Sequence, residues 1–315
     1  MATDLLNLFT QALRSEFIKG YEIVAEPPPL DKALQRIPST GRIENYAWLT
    51  PPPGMSDWQG YRRYAKLGDI NYRVPNLKYD AALSILQDDI DDDQTGGYMI
   101  QAAGIGKQAK IWPIIKAQIL LSNGQTTACF DGSNFFATSH NVGTGSNLIS
   151  AAAAATDAVT HCFVALVTDT PVKPVIWQDR KGPVFGTTAG TPQSDEQQKV
   201  NWWVTMRGAA AFGWWWNAVM VKFANTPTLA ELLTALGQVK TQLYGFKLPK
   251  NLGTDVDQYM HAQTKFEAGN LTIVASTGLA QLMSQALRLS LIAQTENIYK
   301  DFATLSVSGY LNSVV

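Results

Sequence analysis

Residues 43–74 read IENYAWLTPPPGMSDWQGYRRYAKLGDINYRV, and neither a helical nor a strand period runs through them. Aromatic rings (Tyr46, Trp48, Trp58, Tyr61, Tyr64, Tyr72) are mixed with Pro51, Pro52, Pro53, Gly54, Gly60, Arg62 and Arg63. Aliphatic residues are too few for this stretch to build a core of its own. Trp, Tyr and Arg, however, are the residue types that carry most of the free energy of protein interfaces. An extended loop that finds its buried surroundings on a neighbouring subunit needs this composition. Trp48, Trp58, Arg62 and Arg63 are the expected anchors of that contact.

Working outward, Leu5, Leu8, Ala12, Glu16 and Phe17, with Leu13 and Tyr21 beside them, form a mostly apolar stripe at helical spacing. The opening helix must end before Pro27, Pro28 and Pro29, which favour extended chain. An arm leaving the body is expected there. On the other side, residues 72–90 alternate as a strand does and run into the aspartates of 88–93. From 98 to 121, Ile105, Ala109, Trp112, Ile115 and Ile119 recur at spacings of three and four, predicting a long helix that Pro113 bends or splits. The Ala-rich stretch 146–167 is expected to be helical for part of its length. Residues 172–177 and 202–221 read as strands around a polar loop, 186–199. Thr228 caps a predicted helix over 229–243, and a buried strand at 271–275 precedes a helix over 277–291. The class is mixed α+β, without sequence repeats.

Bulk composition narrows the function. The chain has 315 residues, 46% hydrophobic and only 16% charged, so much of its surface is suited to being covered. With 25 basic against 26 acidic residues the net charge is −1, and the electrostatic footprint of a nucleic-acid binder is missing. Cys129 and Cys162 form no CxxC pair, which fits a reducing compartment. Asp4 and Glu16 break any signal-peptide pattern at the start, and Asp157, Thr160 and His161 interrupt the most apolar long stretch. Neither secretion nor a membrane span is expected.

Chemistry has few footholds. The aspartates between 88 and 93 are the residue type that holds hard cations, but no EF-hand spacing accompanies them, so a solvated acidic turn or a charged interface is the expectation and no metal site is assigned. His140 near Asp131 and Ser139 suggests a nucleophilic triad, yet no GxSxG elbow supports it; a structural histidine is expected instead. Gly104 and Gly106 lie within a helical segment and no GxxxxGK occurs, which disfavours nucleotide chemistry. The pair Trp202–Trp203 and the run Trp214–Trp216 suit a stacking platform for sugars or bases. In a strand they would point to both faces, one against the body and one against a partner. Two readings from other classes therefore stand beside self-association: an aromatic-rich carbohydrate- or surface-binding module, and a metal-dependent hydrolase using Asp91 and Asp92.

Several of these segments, taken together, resemble one family. Trp48-Leu49 with Pro53, Met55, Trp58, Gly60 and Arg62, then Tyr79, the aspartates from Asp88 to Asp93 and Gly96, are similar in order and spacing to the Mu-like major head subunit family of bacteriophages. Residues 129–136 (CFDGSNFF), with Thr138 and His140, resemble that family's DG-x-x-FF-x-T-x-H signature. Trp177-Gln178-Asp179-Arg180-Lys181 with Pro183, and Arg207-Gly208-Ala209-Ala210 with Phe212, Gly213 and Trp215, resemble two further segments. These two precede the 228–291 block here, whereas the family pattern places them after it, so a permuted order is expected.

The resemblance implies a tailed-phage major capsid fold of the Hong Kong ninety-seven type and a structural protein that is not an enzyme and carries no cofactor. It implies an N-terminal arm (1–45), an extended loop (46–88), a peripheral domain (89–221) with a spine helix at about 97–122, and an axial domain (222–315). It also implies pentamers and hexamers of this chain closing into an icosahedral head, with scaffolding, portal and decoration proteins as partners. The shell would hold double-stranded DNA without sequence-specific binding, and would be assembled in the bacterial cytoplasm.

Overall fold

A computed structural model describes residues 2–23, 28–55, 57–58, 60–62, 64, 70–92, 96–191, 198–248, 258–262, 264–292 and 294–313. Its first layer is a four-stranded sheet in the order β1 (Leu34–Pro38), β7 (Val175–Thr187), β8 (Lys199–Phe212), β4 (Leu77–Leu86). β1 is parallel to β7, and the other pairs are antiparallel. Strict alternation along β8 buries Val200, Trp202 and Val204 on one face, with Met206 at its edge. Against that face lie α3 (Gly96–Ser122) and, beside it, α1 (Ala2–Glu22), whose Phe17 meets the Phe185 and Trp202 rings directly. Leu6, Phe9, Leu13, Phe17 and Ala102 share one core with Val200, Trp202 and Val204. The two helices approach closely because glycine stands at both contacts. A Cβ at Gly20 would lie 2.0 Å from the Ala103 carbonyl oxygen, and one at Gly106 would lie 2.1 Å from that of Phe17.

The second layer is a five-stranded sheet in the order β15 (Thr304–Ser308), β12 (Leu271–Ser276), β6 (His161–Val167), β9 (Ala218–Phe223), β5 (Leu148–Ala151). β6 and β12 are buried at every residue, as strands covered on both faces must be. α4 (Leu229–Gly245) packs on β9 and β5, and α5 (Ala280–Arg288) on β12 and β15. The predicted cap is in place as a capping box: Thr228 accepts from the Glu231 amide while the Glu231 carboxylate accepts from the Thr228 amide.

Four expectations are corrected. The boundary at 221/222 falls inside β9, because β6 pairs with β9 on one side and with β12 on the other. A sheet is held by its ladder partners, so residues 148–167 and 218–223 belong with the C-terminal part. Residues 1–45 do not leave the body as an arm: α1 lies along α3, and β1 extends the first sheet. The stretch 146–167 holds β5 and β6 rather than a helix, despite its alanines, since pairing to β9 outweighs local propensity. Residues 202–221 are not one strand. They break at a 3-10 turn (Trp215–Asn217) in which Trp214, Trp215 and Trp216 are all buried within the chain. The Trp214–Trp216 part of the stacking platform is thereby lost, since these rings are buried within the chain; of the other pair, Trp202 is buried and Trp203 half-buried.

Candidate assembly surface

The loop predicted at 46–88 springs from a short antiparallel stalk, β2 (Ile43–Asn45) against β3 (Arg73–Pro75), so it closes near residue 74, and residues 77–86 belong instead to β4, held by its ladder to β8. Its root is firmly held. Glu44 accepts hydrogen bonds from the Gly41 amide (2.7 Å), the Ser39 hydroxyl (2.8 Å) and the Thr40 amide (2.8 Å). The buried Asn76 amide donates to Ser39 Oγ and to the Gly41 carbonyl. The Tyr46 hydroxyl donates to Gln178 Oε1 at 2.8 Å, and Trp214 Nε1 donates to the Leu49 carbonyl at 2.8 Å. Leu49 and Pro51 are buried at this root.

Those three donors, the Gly41 amide foremost, hold the Glu44 carboxyl below the ordinary glutamate value of 4.5. A depressed carboxyl pKa contributes stability that is present above the unfolded value and lost as pH falls through the folded one. Glu44→Gln is therefore expected to destabilise the protein at neutral pH. The difference from the parent, measured by chemical denaturation, should shrink toward zero well below pH 4.5.

Beyond the root the rings are bare. Trp58 is 70% exposed, Tyr61 62%, Tyr64 86% and Met55 91%. Trp48 is 43% exposed and leans edge-on against Tyr46, so it belongs to the root rather than the tip. Arg62 is exposed beside Tyr61; Arg63 lies outside the described residues. Of the four expected anchors, Trp58 and Arg62 thus share the projecting part with Met55, Tyr61 and Tyr64, which were not singled out. Their signal was present in the composition: each is a large side chain in a stretch with no periodic partner. A body contact runs to β11 (Gln258–Tyr259), where the Gln258 amide reaches the Met55 carbonyl at 3.5 Å.

Below the root, the 129–147 segment is tied into a buried knot. Asp131 and His140 have wholly buried side chains and meet at 3.1 Å through His140 Nδ1. His140 Nε2 faces Asn147 Oδ1 at 3.1 Å, and the imidazole lies flat on the Trp215 indole, 3.8 Å between centroids and 2° between planes. Asp131 Oδ1 also accepts from the Ser133 amide and the Cys129 thiol. Phe135 stacks on Phe212 at 3.9 Å. Burial acts to raise the Asp131 pKa, but the hydrogen bonds from His140, Cys129 and Ser133 outweigh it and hold the carboxyl below its ordinary value. Burial foremost pushes the Cys129 thiol far up, which keeps it protonated.

This geometry settles what the knot can do. Cys129, Asp131 and His140 offer donor atoms within 4.8 Å of one another, but they are engaged with each other and with backbone. Ser139 is exposed, and both ring nitrogens of His140 already face Asp131 and Asn147, so no base is aimed at a nucleophile. Both faces of the His140 contact set, Asp131 and Asn147, belong to the same segment as the histidine itself. In the aspartate run, Asp88 and Asp92 are exposed and Asp89 accepts from the Tyr98 hydroxyl at 2.7 Å, while the Asp91 side chain and Asp93 lie outside the described residues. No helix among the described residues is long and apolar enough to cross a membrane.

Comparison with known proteins places this arrangement in context. Residues 6–311 match the family described as Mu-like prophage major head subunit gpT. The chain is 30% identical over 219 residues to the major capsid protein of Escherichia phage Mu, covering 66% of this chain and 70% of that one. It is 29% identical over 232 residues to the Mu-like prophage FluMu major head subunit of Haemophilus influenzae, covering 70% and 73%. Among solved structures, the procapsid of bacteriophage JBD30 superposes with a TM-score of 0.71 at 23% identity, over 95% of this chain and 98% of that one. The JBD30 capsid decorated with minor capsid protein trimers gives 0.70 at 17% identity, over 91% of each. At those identities the structural likeness bears on the fold, which is that of a phage capsid protein.

Proposed function

We infer how the shell is joined from one premise: the chain belongs to the Mu-like prophage major head subunit gpT family and is a major capsid protein of a tailed bacteriophage, a structural protein and not an enzyme. Copies form pentamers and hexamers, and these close into an icosahedral head. Contacts of this kind are heterologous, because a ring needs one surface of each copy to meet a different surface of the next. The projecting part of the 43–74 loop, with Trp58 and Arg62 as anchors and Arg63 beside them, is one of the two surfaces. The observation that carries this reading is the exposure of four large side chains, Met55, Trp58, Tyr61 and Tyr64, on a root fixed by buried hydrogen bonds. Trp48 supports the root.

In this reading the four-stranded sheet with α1 and α3 is the peripheral domain, α3 being the spine helix, and the five-stranded sheet with α4 and α5 is the axial domain. A scaffolding protein guides assembly in the host cytoplasm and a portal occupies one vertex. Decoration by a minor capsid protein, named for the JBD30 capsid, extends to this shell. A net charge of −1 suits a wall that holds double-stranded DNA without gripping it.

Electron microscopy of the purified full chain is the test. Closed shells, tubes, or rings of five and six are expected. A single small oligomer that persists at high concentration and with crowding agents would overturn the reading.

A further inference from the structure

We propose that His140 is held doubly protonated, and that this proton latches the 129–147 segment to the root of the projecting loop. The argument starts from Asn147. Its Nδ2 donates to the Phe135 carbonyl at 2.7 Å and to the Trp215 carbonyl at 3.3 Å, while its Oδ1 accepts from the Ala137 amide at 2.9 Å. Three backbone groups thus fix which end of the amide is oxygen, a choice that is otherwise ambiguous. That oxygen faces His140 Nε2, and the Asp131 carboxylate faces Nδ1. Both ring nitrogens therefore meet acceptors, and both contacts are hydrogen bonds only when both nitrogens carry hydrogen.

The surroundings favour the positive ring. The Trp215 indole face lies against it at 3.8 Å, the geometry of a cation–π contact. Asp131 is the facing anion, and it is kept anionic by the Ser133 amide and the Cys129 thiol. The other ionisable groups nearby are the Cys129 thiol, which points at Asp131, and Tyr72 and Arg73, which line an open cleft with Asp131. Lys247 pairs through its backbone with Thr144 and sets its ammonium over the Tyr259 ring, 4.6 Å from the centroid.

Loss of the proton to solvent leaves a lone pair on Nε2 facing the Asn147 oxygen at 3.1 Å. Asn147 can turn only by giving up three backbone contacts, so the strain falls on His140 and the segment carrying it. That segment is coupled to the loop root by packed rings and two hydrogen bonds. Phe135 stacks on Phe212, the Phe212 amide donates to the Tyr72 hydroxyl at 3.1 Å, and the Tyr46 amide donates to the Tyr72 carbonyl.

The test is nitrogen-15 NMR of the histidine rings in the unaltered full chain, whether assembled or not, so that its outcome is independent of shell formation. His140, identified by contact with the Trp215 ring, is expected to show two protonated nitrogens at neutral pH. His261 is the internal reference: burial lowers its pKa, outweighing its one contact with the Trp216 carbonyl, and it should show one protonated and one bare nitrogen. A bare nitrogen on His140 at neutral pH overturns the proposal.

Discussion

Replacing Trp58, Tyr61 and Tyr64 together by serine is expected to leave the subunit folded and to reduce particle yield by at least about tenfold. The three rings are 70%, 62% and 86% exposed and so contribute little to the fold of their own chain. Substitutions at such positions usually change stability by no more than about 0.5 kcal/mol each. At an interface, an anchoring aromatic is worth about 2 kcal/mol or more, and in the proposed joint every copy in a closed shell makes the contact. A loss of about 1.4 kcal/mol per contact already costs tenfold in association. Circular dichroism and the denaturation midpoint check the fold; sedimentation and microscopy count the particles. Trp48→Ala is the contrasting variant: its ring leans on Tyr46 at the root, so it should lower stability as well as yield. Shells at parental yield from the triple variant would remove the loop tip from the joint.

The second large effect is expected at Asn147, whose side chain no solvent reaches. Asn147→Ala removes the acceptor of the Ala137 amide and the donor to the Phe135 and Trp215 carbonyls, and it strips one partner from His140. Each buried polar group left unpaired costs about 1–3 kcal/mol, so the total should be about 4 kcal/mol. That is a large fraction of the stability of an ordinary domain. Chemical denaturation of the unassembled subunit measures it directly. A loss below about 1 kcal/mol would mean that water replaces the amide and that the knot does not hold the segment.

The exposed aromatic stretch was legible in the sequence because its signal is local. Aromatic and arginine side chains in a proline- and glycine-broken stretch have no neighbours in sequence with which to bury themselves. The two-sided tryptophan run failed for the opposite reason. Periodicity assigns Trp214, Trp215 and Trp216 to alternate faces only if the backbone stays extended, and here it turns so that all three rings face inward. The buried knot was half legible. Asp131 and His140 stand close in sequence, but Asn147 gave no sign of itself, because an asparagine that serves three backbone groups looks like any loop asparagine until the chain is folded.

What the sequence determined by itself is whatever depends on neighbours within a turn or two. That covers the opening helix, the long helix carrying Pro113, the Thr228 cap, the strand at 271–275 and the exposed aromatic stretch. Tertiary structure alone decided which strands share a sheet, where the layers divide and what α1 rests on. β6 finds its partners more than fifty residues away at β9 and more than a hundred away at β12. No period in the sequence encodes that choice, since ladder hydrogen bonds are chemically alike along every strand and only the packing of buried side chains selects between them.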